Sequence, residues 1–185
     1  MLSQVPIYGI TFFLPQMVKR FGSSNAMIGL LTAIPYTLGA IGPIFIGFSS
    51  DRLQERRWHM IGALAVAAVG LLFAGWWHGS YLVLVAMSVA TIGLWGSKPC
   101  FWPMPSQFLT GPAAAAGIAL INAIGSLGGY FGPFIVGWIR DSTHSFEASL
   151  YFLAACTLSS ALIAYFGKHA TAGPNMPAHD GSLPA

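Results

Sequence analysis

The chain has 185 residues, of which 55% are hydrophobic and 7% charged, with a mean hydropathy of +0.68, whereas a water-soluble domain carries roughly a quarter charged residues. That composition excludes a soluble globular enzyme or binding domain and calls for a lipid bilayer as solvent. The formal net charge of +3 comes from eight Lys and Arg against five Asp and Glu, without the extended basic face that nucleic acid needs.

Taken in order, the apolar text falls into six stretches of about 20 residues, the length an α-helix needs to cross some 30 Å of hydrocarbon. The first covers about residues 1–18. It opens without a basic segment or a small-residue cleavage site, so it reads as a cut into a longer protein and not as a signal peptide. Ser3, Gln4, Pro6, Tyr8, Thr11 and Pro15 are a heavy polar and proline load for a lipid-facing helix and predict one that lines a cavity. Lys19 and Arg20 end it. The second stretch, about 26–48, carries Gly29, Gly39, Gly42 and Gly47 as contact points and Pro43 as a kink. Small residues let backbones approach, which replaces hydrophobic burial as the packing force in lipid. A loop with Asp51, Arg52, Glu55, Arg56 and Arg57 follows. The third, about 58–77, ends in Trp76 and Trp77 as at a headgroup boundary and predicts an outer, supporting helix.

The fourth stretch, about 81–104, passes through Lys98 and is broken at its end by Pro99, Pro103 and Pro105. The fifth, about 114–139, holds Asn122, Ser126 and five glycines between Gly125 and Gly137, and predicts the closest-packed helix of the chain. The sixth, about 146–166, is plain hydrophobic text, and residues 168–185 have the composition of a disordered tail. Cys100 and Cys156 lie in apolar text without metal-ligand spacing and read as small buried hydrophobes; neither metal nor cofactor is expected. Arg52, Arg56, Arg57 and Lys168 fall on one side of the six crossings, Lys19, Arg20 and Arg140 on the other. The concentration in one loop places that loop and both chain ends in the cytoplasm.

One pattern organises these stretches. Gly39-x-x-Gly42-Pro43-x-x-x-Gly47-x-x-x-Asp51 returns 90 residues later, at all five positions, as Gly129-x-x-Gly132-Pro133-x-x-x-Gly137-x-x-x-Asp141. A unit of three crossings has therefore been used twice, at about 1–77 and 81–167. Because three is odd, the second copy is threaded upside down, as in secondary transporters. The expected fold is an all-α membrane protein, a bundle over residues 1–167 of six transmembrane helices in two inverted three-helix repeats.

The residues also carry a family resemblance. Gly47-x-x-x-Asp51-Arg52-x-x-x-Arg56-Arg57 resembles the signature loop of the major facilitator superfamily. The run from Phe101 to Pro105, the segment from Gly117 to Asn122, and Gly132-Pro133 through Gly137 to Asp141 resemble its anion:cation symporter family, carriers of tartrate, phthalate and galactonate. The resemblance covers about residues 1–167 and implies the last six helices of twelve, half of a major facilitator fold, with an N-terminal six-helix half as partner. It further implies a small organic anion as substrate, a proton as coupling ion, alternating access, and the plasma membrane, the inner membrane in a bacterium. Two positions depart from the family: Gln54 replaces the glycine usual after Asp-Arg-x, and Ser126 stands where many relatives carry Asn.

Lys98 is the one charge well inside a stretch, and intramembrane charges face a cavity or a partner, so it is a candidate carboxylate ligand; the alternative is a lysine snorkelling past the broken helix end. Trp102 follows one helical turn later. The resemblance carries substrate contact over to Trp102 and Asn122, with an interhelical hydrogen bond as the alternative for Asn122. Tyr8 and Gln4 are weaker candidates on the first helix, where packing is the alternative. Gly47, Asp51, Arg52, Arg56 and Arg57 form a candidate gating loop in which Arg pairs with carboxylates or helix carbonyls; the alternative is that the arginines only fix topology. No nucleotide loop or zinc-protease motif occurs. Every acidic residue lies at the end of a stretch or beyond, so the resemblance assigns the proton-titrating carboxylate to the first six helices. The competing reading is a non-transporting membrane scaffold or partner subunit. A small dimeric multidrug exporter would place a carboxylate in its first span, and none is there.

Overall fold

The computed structural model describes residues 2–21, 24–77, 80–105 and 111–167, with side chains from residue 114 in the last segment. The tail expected at 168–185 lies outside the described residues. Six helices follow one another: α1 (Gln4–Lys19), α2 (Asn25–Leu53), α3 (Arg56–Trp76), α4 (Leu82–Phe101), α5 (Gly111–Thr143) and α6 (Glu147–Phe166). Five of them are long and apolar enough to cross a membrane; α1, with 16 residues, is shorter.

Local chemistry sets the ends. Ser24 caps α2 by accepting from the Met27 amide at 3.4 Å. With 29 residues, α2 is about 43 Å long and overruns the hydrocarbon, so Asp51 and Arg52 ride on its last turn and not, as expected, on a loop. Its stop is Gln54, held in the left-handed region at φ 54°, where its Nε2 donates to the Asp51 carbonyl at 2.6 Å. Pro99 is accommodated inside α4, and the helix ends at Phe101, two residues before Pro103.

Helix α4 is the centre of the bundle, packed between α2 and α3. A Cβ on Gly42 would stand 2.3 Å from the Ile92 carbonyl oxygen, and one on Gly93 2.3 Å from that of Ala63, so at both places helix backbones touch. The buried Thr91 hydroxyl adds a bond between helices, 2.7 Å from the Pro35 carbonyl oxygen. On the other side α1 packs against α5 and, less closely, against α2 and α6. The expectation that α5 is the closest-packed helix is overturned: its glycines touch α1 along one stripe, Gly125 near Gln4, Gly129 near Tyr8 and Gly132 near Val5, and most of the rest is open. Nor is α3 merely peripheral, since it is wedged between α4 and α6.

Candidate functional site

Lys98 stands on α4 one turn before that helix ends, and its Nζ donates across the bundle to Gln4 Oε1 on α1 at 2.7 Å. An ammonium carries three donors, and Gln4 takes one. Both residues border a cavity of about 720 Å³ between α1, α2 and α4. Tyr8, Thr11, Tyr36, Trp95 and Trp102 supply much of its wall, and among the described residues no acidic side chain lines it. Among the described residues the cavity is thus an aromatic-walled space with one positive charge, which suits a carboxylate attached to a body with an apolar face. A smaller apolar cavity of about 370 Å³ lies between Lys98 and the helices α3 and α6, with Met60, Leu64 and Ile163 in its wall.

Four of the five candidates read from the sequence, Gln4, Tyr8, Lys98 and Trp102, meet at this cavity. Asn122 does not: it is exposed on α5, one turn before Gly125, whose Cβ position is 3.8 Å from Gln4 Cγ. Ser126 donates back to the Asn122 carbonyl at 2.9 Å and contributes nothing to the cavity wall. Tyr36 and Trp95 escaped the sequence reading, and Thr11 was counted in the polar load of the first helix but not among the candidates. Trp95 precedes Lys98 by three positions and Trp102 by seven, which places all three on one helical face. Tyr36, Gly39 and Pro43 share a stripe of α2 in the same way. The Tyr36 hydroxyl is buried at the cavity wall and faces Thr11.

The candidate gating residues sit where α2 passes into α3. Arg56 Nη2 pairs with Asp51 Oδ1 at 3.2 Å. Arg57 reaches the C-terminal end of α6, donating through Nε to the Ala164 carbonyl at 2.9 Å and through Nη2 to the Tyr165 carbonyl. A guanidinium on the last carbonyls of a helix meets the negative end of its dipole, so Arg57 staples α3 to α6. Gly47 lies against Pro99, with Pro99 Cβ 3.2 Å from its Cβ position, which joins this end of α2 to the segment that carries Lys98. Arg52 is exposed.

A family model described as Major Facilitator Superfamily matches residues 1–182. The chain is 44% identical over 157 residues to a putative tartrate transporter of Agrobacterium vitis, the alignment covering 85% of this chain and 35% of that protein. It is 42% identical over 160 residues to a quinolone resistance transporter of Acinetobacter baumannii, covering 86% and 37%. With a probable galactarate/D-glucarate transporter of Escherichia coli (strain K12) it shares 27% over 173 residues, covering 89% and 38%. The chain therefore spans just over a third of the length of these curated relatives.

Proposed function

Because this chain belongs to the major facilitator superfamily and is a multi-pass membrane protein whose relatives are transporters and not enzymes, we propose that it forms the C-terminal six-helix half of a carrier for small organic anions. The observation that carries this reading is Lys98, a half-buried ammonium turned into a large cavity and, among the described residues, without an acidic partner. An intramembrane charge costs at least ~2.5 kcal/mol by insertion scales, and a cavity that offers it a passing carboxylate gives that cost a purpose. The relatives' names, tartrate and galactarate/D-glucarate, agree in substrate class. Tyr8, Tyr36, Trp95 and Trp102 favour members of that class with an apolar face beside the carboxylate.

In this reading α1 crosses as well as the other five helices, residues 1–167 form the bundle of two inverted repeats, residues 168–185 are a cytoplasmic tail, and the membrane is the plasma membrane, the inner one in a bacterium. Two packing facts favour the inverted repeat. The first helix of each unit lies chiefly against the second helix of the other, α4 on α2 and α1 on α5. The equivalent glycines Gly42 and Gly132 both abut a backbone carbonyl of the other unit's first helix, Ile92 and Val5. The open apolar faces of α2 and α5, with Ile44, Phe45, Phe48, Tyr130, Phe134 and Trp138 exposed, are where an N-terminal half would rock in alternating access. The Asp51–Arg56 pair and the Arg57 staple are contacts on the cytoplasmic side that open and close with it. Asn122, open on α5, reaches substrate only in the assembled carrier. Proton coupling belongs to carboxylates of the other half, since none lies well within a described span.

The test is a chimera in which this chain replaces the matching segment of the Agrobacterium vitis protein, reconstituted in liposomes. Saturable accumulation of labelled tartrate or galactarate, raised by an inward proton gradient, is expected. A folded chimera that accumulates no organic acid contradicts the proposal, and uptake indifferent to the gradient removes proton coupling alone.

A further inference from the structure

At the end of the bundle away from Asp51, three helices bring three cations together. Gln16, Lys19 and Arg20 come from the end of α1, Arg140 from the last turn of α5, and Phe146 from the start of α6. The Arg20 guanidinium lies 4.7 Å from the centre of the Phe146 ring, and that of Arg140 4.9 Å from the same centre. The ring is 3% exposed and braced edge-on by Phe13 at 6.2 Å, so it is a fixed platform. Arg140 Nη1 also donates to Gln16 Oε1 at 2.5 Å. These five side chains border an open cavity of about 440 Å³.

What makes the cluster informative is that its cations are not ion-paired, although Asp141 follows Arg140 and Glu147 follows Phe146 in the chain. Among the described residues the one ion pair between side chains is Arg56–Asp51, and Lys19, Arg20 and Arg140 are not in it. The negative ends of the α1 and α5 dipoles favour one cation at each helix end, but they do not require two guanidiniums on one ring. A guanidinium that meets an aromatic ring leaves in-plane N–H donors open, in a fork that matches an oxyanion. In the proposed orientation this is also the side on which Lys and Arg are normally depleted. The site is distinct from the Lys98 cavity, since Gln4 and Gln16 stand about 18 Å apart along α1.

We propose that this cluster is a second anion site, which takes a small free dianion of the dicarboxylate class between Arg20, Arg140 and Lys19. It stands on its own geometry and holds whether or not Lys98 binds substrate. The test is calorimetric titration of the full chain, purified in non-ionic detergent, with L-tartrate, comparing Lys98→Gln with the triple variant Lys98→Gln/Arg20→Gln/Arg140→Gln. Tartrate binding that survives Lys98→Gln and falls at least about tenfold in the triple variant is the expected result. Phe146→Leu, which removes the platform but no charge, is expected to weaken the same binding about three- to fivefold and serves if the triple variant does not fold. Equal tartrate affinity with and without Arg20 and Arg140, or with Phe146 replaced, overturns the proposal. The same variants in nanodiscs with and without phosphatidylglycerol separate the other source of an oxyanion. If the arginine changes abolish retention of that lipid in native mass spectra while tartrate affinity is unchanged, the cluster is a headgroup site and the proposal fails.

Discussion

Gly42→Ala adds one methyl group at the point where α2 and α4 touch. The new Cβ would lie 2.3 Å from the Ile92 carbonyl oxygen and 3.2 Å from Ile92 Cα, whereas ordinary contact begins at 3.4 Å. The obstacle is backbone, and α4 is itself fixed from the far side by Gly93 against Ala63, so no side-chain rotation relieves the clash. The helices must part by about 1 Å, a gap that forfeits a quarter to a half of the dispersion energy of each contact it opens. Overpacking of this kind costs ~1–3 kcal/mol. Parting also strains the nearby Thr91–Pro35 hydrogen bond, worth ~0.5–1.5 kcal/mol, so the expected loss is about 3 kcal/mol. Gly132→Ala, whose Cβ meets the Val5 carbonyl oxygen at 2.9 Å, is expected to lose about half as much. Gly29→Ala meets nothing within 4 Å and is expected to gain up to ~1 kcal/mol from helix propensity. Reversible unfolding of the purified chain in mixed micelles, followed by circular dichroism, measures all three. If Gly42→Ala and Gly29→Ala agree within about 0.5 kcal/mol, α2 and α4 do not meet as described.

Gln54→Gly relieves a left-handed backbone that costs a non-glycine residue about 1 kcal/mol, and it loses one exposed hydrogen bond to Asp51; a net gain of about 0.5 kcal/mol is expected in the same unfolding assay, and a loss of stability would mean that the side-chain bond outweighs the strain. Single cysteines at the exposed positions Gln54 and His144, in a background without Cys100 and Cys156, should react with an impermeant thiol reagent from opposite faces, Gln54→Cys from the cytoplasm and His144→Cys from outside. Reaction of both from one face would sink the inverted repeat. Reconstituted by itself, the chain should bind organic anions without accumulating them, because alternating access needs a second bundle; saturable accumulation in liposomes would contradict the half-carrier reading.

The helices were legible, five of them long and apolar enough to cross a membrane, because a span of hydrocarbon demands a run of apolar residues of fixed length, and the ninety-residue repeat was legible because it survives as glycines, prolines and aspartates. Which helices are closest packed was not. In lipid an outward face is as apolar as an inward one, so the glycine run of α5 and the Ala, Val and Leu text of α3 say little about neighbours; α3 proved wedged between α4 and α6 and α5 largely open. Lys98 could be found because one charge in apolar text is conspicuous, and Gln4 and Tyr8 because they load a proline-bearing helix. Their meeting depends on α1 and α4 crossing head to tail, which composition does not encode. Tyr36 and Trp95 were missed because an aromatic residue in a membrane span looks like packing until its cavity is seen. Arg57 was found from its motif and a helix carbonyl was among its expected partners, but that the carbonyls belong to α6, at the far end of the chain, could not be read.

Whether Lys98 holds the substrate's carboxylate is tested most directly by binding of L-tartrate and galactarate to the chimeric carrier, with Lys98→Gln compared with Lys98→Arg and both checked for helicity and insertion. A carboxylate entering the cavity sheds water and recovers part of that loss from the ammonium, a charge-assisted contact worth ~1.5–3 kcal/mol. Lys98→Gln should therefore weaken binding about ten- to a hundredfold, and Lys98→Arg less, because the charge survives although the fork fits differently. Unchanged affinity in a folded Lys98→Gln carrier would contradict the assignment and leave the lysine with no part in the site beyond its bond to Gln4.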